Sequence, residues 1–169
     1  MDHLWAPWRM KYVSNSDAPR SGCVFCDCVQ DDQDDTHGIL ARGRHNFLIL
    51  NAFPYNSGHM MVVPFEHQSE FTALPAETLH EMMALAQVAV KVLQQELRCE
   101  GANVGMNIGK AAGAGIKDHL HLHIVPRWSG DTNFMTTLDQ TRVVPQDPEE
   151  TWAHLAPRLR ATIAEAGLD

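Results

Sequence analysis

The chain has 169 residues, 44% hydrophobic and 20% charged, with a formal net charge of -8. That length fits one domain with short extensions and can bury a core without staples. The acidic balance excludes a nucleic-acid-coating role, which needs a basic face, and no apolar run reaches the length of a membrane-spanning helix.

Residues 1–22 are rich in Trp, Pro and polar side chains and read as an irregular arm. The arm has no basic start followed by an apolar stretch, so no secretory signal is expected and the cytoplasm is the default location. Four cysteines follow from this point: Cys23, Cys26, Cys28 and Cys99. In such a compartment they are not expected to form a disulfide framework, and the C-x-x-C pair Cys23-Val24-Phe25-Cys26 needs another explanation. The acidic stretch from Asp27 to His37 reads as a solvated loop.

Phe47-Leu48-Ile49-Leu50 fits a short buried strand, and Met60-Met61-Val62-Val63, ended by Pro64, a second. The turn-rich Pro54-Tyr55-Asn56-Ser57-Gly58 between them makes them antiparallel neighbours. Residues 75–97 read as a helix, with Leu79, Met83, Ala86, Val90, Leu93 and Leu97 as one apolar stripe and Pro75 in the first turn. Over 103–108 the residues alternate as a half-buried strand. The loop Gly109-Lys110-Ala111-Ala112-Gly113-Ala114-Gly115 then leads into a strand over 119–125. A last helix begins at Asp147, which caps it with Pro148 and Glu150; Pro157 bends or splits it, and Gly167 stops it. The order strand, strand, helix, strand, strand, helix with short connections predicts an α+β domain on an antiparallel sheet.

The informative segment is His119-Leu120-His121-Leu122-His123-Ile124-Val125. Period two puts the three imidazoles on one face and the aliphatic residues on the other. Three readings stay open on the residues alone. They are surface histidines on an edge strand, a three-histidine metal site, and nucleophilic attack on phosphorus by a ring tuned by its neighbours. The glycine-rich loop just before the strand favours the last, since its backbone N–H groups can close on phosphate oxygens.

This H-φ-H-φ-H-φ-φ run resembles the signature of the histidine-triad (HIT) family. The resemblance extends through Asn51, Gly58-His59, Pro64-Phe65-Glu66-His67, Asn107 and Pro126-Arg127-Trp128, covering a core of about 23–128 within a single domain spanning 1–169. The flanks Leu4-Trp5-Ala6-Pro7-Trp8-Arg9 and Gly130-Asp131-Thr132-Asn133-Phe134 look like the branch of diadenosine tetraphosphate hydrolases and phosphorylases. The resemblance implies an antiparallel sheet of about five strands with one long and one C-terminal helix, commonly paired as a homodimer. It implies cleavage of dinucleoside polyphosphates at the α-phosphate, with His121 as nucleophile, His123 near the phosphate and His59 as a supporting histidine. A nucleotidyl-histidine would be resolved by water or inorganic phosphate. Asn51 matches the ribose position and Asn107 a position near phosphate and leaving group. Gly113, Gly115 and Ile116 fall in the phosphate loop, and Trp128 matches a position near the base of a purine nucleotide. Gly115 and Ile116 stand where many members carry Gln, Ser or Thr, so a side-chain donor to the leaving group is missing. The family also implies structural zinc on Cys23, Cys26, His67 and His119, while Cys28 and Cys99 are left as packing residues. Two other activities compatible with the motif are a purine nucleoside phosphoramidase and a zinc-stabilised nucleotide-binding module with residual catalysis.

Overall fold

The structure, a computed structural model, describes residues 22–131 and 147–169; the arm expected over residues 1–22 lies outside them except for Gly22. Five antiparallel strands form one sheet: β1 (Ile39–Arg42), β2 (Asn46–Leu50), β3 (Met60–Pro64), β4 (Gly101–Met106) and β5 (Leu122–Arg127). Their order is β1-β2-β3-β5-β4, which leaves β1 and β4 at the edges. Two helices, α3 (Ala76–Glu96) and α4 (Pro148–Glu165), cover one face. Two short ones follow the C-x-x-C start: α1 (Val24–Cys28), which runs into the solvated loop expected over Asp27–His37, and α2 (Asp34–His37), which lies within it. Polar composition hides them because each is held from outside. Arg42 on β1 reaches Asp34 and the carbonyls of Val29 and Asp31, and Phe25 and Cys28 are buried.

Alternation along the strands sorts side chains to two cores. Leu48, Val62, Leu122 and Ile124 face the helices with Met82, Leu85, Ala89 and Val92. Phe47, Ile49, Met61 and Val63 face the other way with Phe25. On α3 the expected stripe is one edge of the buried face: Ala86 and Leu93 are buried, whereas Met83 is 57% exposed. Two adjacent apolar stripes share the helical period, so periodicity alone leaves their phase open. Both Cys28 and Cys99 are buried, as packing residues should be.

The strand expected over 103–108 runs instead from Gly101 to Met106, and as an edge strand it exposes Val104. The one expected over 119–125 runs from Leu122 to Arg127. His119 and His121 therefore lie in chain leading into the ladder, where Leu120 N–H donates to the Gln68 carbonyl at 2.8 Å. α4 starts as expected, with Asp147 accepting from Glu149 N–H at 2.8 Å. It passes Pro157 as one helix. That proline lies on the exposed face, where water can reach the carbonyl it leaves without a donor. At the far end Gly167 takes φ 66° and Leu168 N–H returns to the Ile163 carbonyl, closing the helix. Side chains of α4 cap edge strand β1: Trp152 Nε1–H donates to the Ile39 carbonyl and Arg160 Nε–H to that of Leu40.

Candidate active site and metal centre

The loop between β2 and β3 and the chain leading into β5 bring three histidines together, His59, His121 and His123. Gly58, at φ 78°, lets the loop lie against α3; a Cβ there would stand 2.6 Å from Leu97 Cδ1. His59 follows immediately and is 1% exposed. Its Nδ1 accepts the Tyr55 backbone N–H at 3.0 Å. The proton of the neutral ring therefore sits on Nε2, which donates to His123 Nδ1 at 3.0 Å. That fixes His123 in turn, leaving its proton on Nε2. Burial, then the neighbouring His123 and His121, push His59 down to about 3. Burial, then His121, push His123 down to about 4. Both are neutral at pH 7, and His123 presents an N–H donor rather than a cation.

His121 lies beside this pair, its ring edge-on to His123 at 4.8 Å between centroids. It is 5% exposed. Its Nδ1 lies 2.9 Å from the His119 carbonyl. A carbonyl can only accept, so Nδ1 carries a proton, and in the neutral form of the ring Nε2 keeps its lone pair. That Nε2 makes no hydrogen bond among the described residues and is not sealed from solvent. A neutral imidazole with a bare, accessible nitrogen held from behind is the form a nitrogen nucleophile requires.

His119 turns away from this group. Burial chiefly lowers its pKa. Its Nε2–H donates to the Pro64 carbonyl at 2.9 Å. Nδ1 thus aims its lone pair at Cys23 Sγ, 3.2 Å away, and Cys26 Sγ, 3.6 Å away. His67 Nδ1 stands 3.3 Å from Cys26 Sγ. All four ligand atoms lie within 4.8 Å of one another. Ideal zinc bond lengths at tetrahedral angles put sulfur and nitrogen about 3.6 Å apart, so the four donors are spaced for a closed site. Burial, followed by the Cys23 thiol, raises the Cys26 thiol, a balance that a divalent cation would reverse.

The remaining expected residues are placed unevenly. Asn51 is half-buried, with Nδ2 3.4 Å from the His59 ring and Oδ1 accepting Phe53 N–H. Met106 pairs with Leu122, so Asn107, one residue further, is level with His121. Gly113 has φ 86° and caps a short 3-10 turn over Lys110–Ala112. Gly115 is exposed, and Ile116 packs on the cluster that holds Phe25. Trp128 is not brought to the histidines: its indole packs on the helix-side core and donates to the Leu97 carbonyl. Two site neighbours are absent from the expectations. Phe25 contacts the rings of both His119 and His121 at 5.4 Å. Tyr55 stacks on His123 at 6.0 Å and lies 4.6 Å from His59. Phe25 sits between the two C-x-x-C cysteines, which is the signal that could have found it.

Residues 34–130 match the HIT domain family model. The chain belongs to the HIT family. Among its HIT relatives, an AP-4-A phosphorylase of Mycobacterium tuberculosis is 38% identical over 162 residues, which cover 92% of this chain and 83% of that protein. A zinc-bound histidine triad family protein from Mycobacterium smegmatis superposes with a TM-score of 0.69 at 31% identity, covering 86% of this chain and 97% of that one. A histidine triad nucleotide-binding protein from Sulfolobus tokodaii has a TM-score of 0.65 at 24% identity, covering 85% and 93%, and supports the HIT fold alone.

Proposed function

We propose that this HIT protein cleaves dinucleoside polyphosphates at the α-phosphorus through a nucleotidyl-histidine on His121. The observation that carries the reading is the His121 ring, held at Nδ1 by the His119 carbonyl with Nε2 bare. In the first step Nε2 attacks the α-phosphorus and the bond to the bridging oxygen breaks. That oxygen leaves with the rest of the polyphosphate. In the second step an oxygen of the acceptor attacks the same phosphorus and the N–P bond breaks, returning neutral His121. The 38%-identical relative is a phosphorylase, which favours inorganic phosphate as the acceptor. Diadenosine tetraphosphate and phosphate would then give ATP and ADP.

His123 supplies an Nε2–H toward the phosphate oxygens, kept there by His59. This donor is neutral, so it lends a hydrogen bond to charge that develops on oxygen without trapping the anionic product. Asn51 is proposed to hold the ribose. Asn107 and the backbone of Gly113, Gly115 and Ile116 are proposed to line the phosphate path, backbone donors standing in for the absent side-chain donor. Trp128 contributes to base binding only if a second copy of the chain brings it to the site.

Cys23, Cys26, His67 and His119 would hold a zinc ion. Zinc bound there would supply a structural crosslink between the C-x-x-C segment and the sheet. A homodimer is part of the same reading. The exposed apolar residues Val104 and Ile108 at edge strand β4, with Met83 on α3, are where a second copy would pair.

The test is turnover of diadenosine tetraphosphate with and without labelled inorganic phosphate. Label in ADP, with ATP as co-product, supports phosphorolysis; AMP without label assigns water as acceptor. Turnover of an adenosine phosphoramidate alone would replace the substrate assignment with the phosphoramidase reading.

A further inference from the structure

The geometry points to Phe25 as a positioning residue for His121, held against the nucleophile by the cysteine–histidine clamp that flanks it in sequence. The inference rests on the reading of His121 as nucleophile. It concerns what keeps that ring in place. The single hydrogen bond to the His119 carbonyl fixes one atom of the imidazole but leaves it free to swing about that atom. His123 meets it edge-on from one side. Phe25 meets it from another, 5.4 Å between centroids and tilted at 52°. The same phenyl ring stands edge-on to His119 at 5.4 Å and 81°. Among the described residues no other aromatic side chain contacts both His119 and His121.

Phe25 could not hold that position through α1 alone. The helix has five residues and no side-chain cap, far below the length at which a helix is stable by itself. What fixes it is burial of Phe25, which is 3% exposed, and the two thiols that face His119 and His67. Cys23 precedes the ring by two residues and Cys26 follows it by one. Closing the clamp therefore sets the phenyl ring. His119 adds a second link, because its side chain belongs to the clamp while its carbonyl orients His121. The C-x-x-C motif thus does more than fasten the N-terminal segment: it shapes the back wall of the nucleophile.

The experiment compares zinc-loaded Phe25→Ala and Phe25→Leu with wild type by two readouts. One is kcat and KM on diadenosine tetraphosphate with inorganic phosphate. The other is the 15N–1H spectrum of the imidazole nitrogens, which reports the His121 tautomer without substrate. Phe25→Leu retains most of the buried volume if the alanine variant fails to fold. Both variants should lower kcat about tenfold or more with KM changed less than about twofold, since small misplacements of a reacting group cost that much. His121 should also lose its single Nδ1–H signal, and stripping zinc from wild type with a chelator should reproduce that loss. An unchanged kcat with an intact tautomer would overturn the proposal. A raised KM at constant kcat would overturn it too, assigning Phe25 to substrate contact. A spectrum insensitive to zinc removal would sever the clamp from the nucleophile. If wild type itself shows no turnover, the proposed function fails, and the spectrum still decides the role of Phe25.

Discussion

At the scale of single residues, the site is a set of proton placements. Backbone groups dictate them: the His119 carbonyl for His121, the Tyr55 N–H for His59 and through it His123. His121→Ala should abolish turnover while leaving nucleotide binding measurable by calorimetry; full activity in that variant would remove the assignment. The two depressed histidines predict a pH dependence of stability. The unfolded chain takes up their protons as pH falls through about 6.5, while the folded chain resists until about 4 for His123 and about 3 for His59. Their contribution is thus complete above about pH 6.5 and is lost progressively below it. Thermal melts between pH 8 and 4 should show a declining acid limb, and His59→Asn should flatten it. An acid limb of equal slope in the variant would show that His59 is not held neutral by burial. The alternation of His119, His121 and His123 was legible in the sequence as a local pattern, whereas the grouping of Cys23, Cys26, His67 and His119 spans distant segments and followed only from the family resemblance. Phe25 was missed although its place inside the C-x-x-C pair marked it, and Tyr55 because nothing local distinguishes an aromatic that touches a distant imidazole from one that fills a core.

At the scale of elements, the Asn51–His59 loop carries the supporting histidine, and two features hold it. Gly58 lets it approach α3 at a φ that other residues take with strain. Asn56 ties it to the end of β5, donating from Nδ2 to the Pro126 carbonyl and to Asp131 Oδ2, a carboxylate that also pairs with Arg127. Gly58→Ala should destabilise the protein by about 1–3 kcal/mol, from positive φ together with the clash on Leu97. Chemical denaturation measures this directly, and a neutral result would mean that α3 yields easily at Leu97. Element type was readable wherever the apolar period was long, as in α3, or where a cap was explicit, as at Asp147. Edge strand β1 was overlooked because four residues give too short a pattern to mark a strand, and the α4 side chains that cap its outer carbonyls lie over a hundred positions away. The slip of β5 has a tertiary cause as well. His119 is drawn out of the ladder by Pro64 and the cysteines, so alternation runs past the residues that actually pair.

At the scale of the whole molecule, two layers are built on opposite faces of one sheet. The helices bury the aliphatic side, which gives the sheet a rigid back; the histidines and the clamp occupy the other. Zinc held by the proposed clamp would join residues 23 and 26 to residues 67 and 119 and close long loops, so on that proposal zinc removal should lower the melting temperature. Cys23→Ser should lower it similarly and blunt the response to a chelator. Equal melting temperatures with and without metal would argue that apolar burial alone holds α1. The antiparallel α+β architecture and the pairing of β2 with β3 follow from patterns present in the sequence; the full order, with β5 between β3 and β4, does not. The packing of α4 over β1 and the closure of the clamp depend on contacts between distant segments, which no local period encodes.

The most direct test of the central claim is to quench the reaction with diadenosine tetraphosphate early, digest the protein and locate any adenylyl adduct by mass spectrometry. The account predicts AMP bonded to the imidazole of His121 in wild type and no adduct in His121→Ala. Steady turnover with no adduct, or an adduct on another residue, would contradict it.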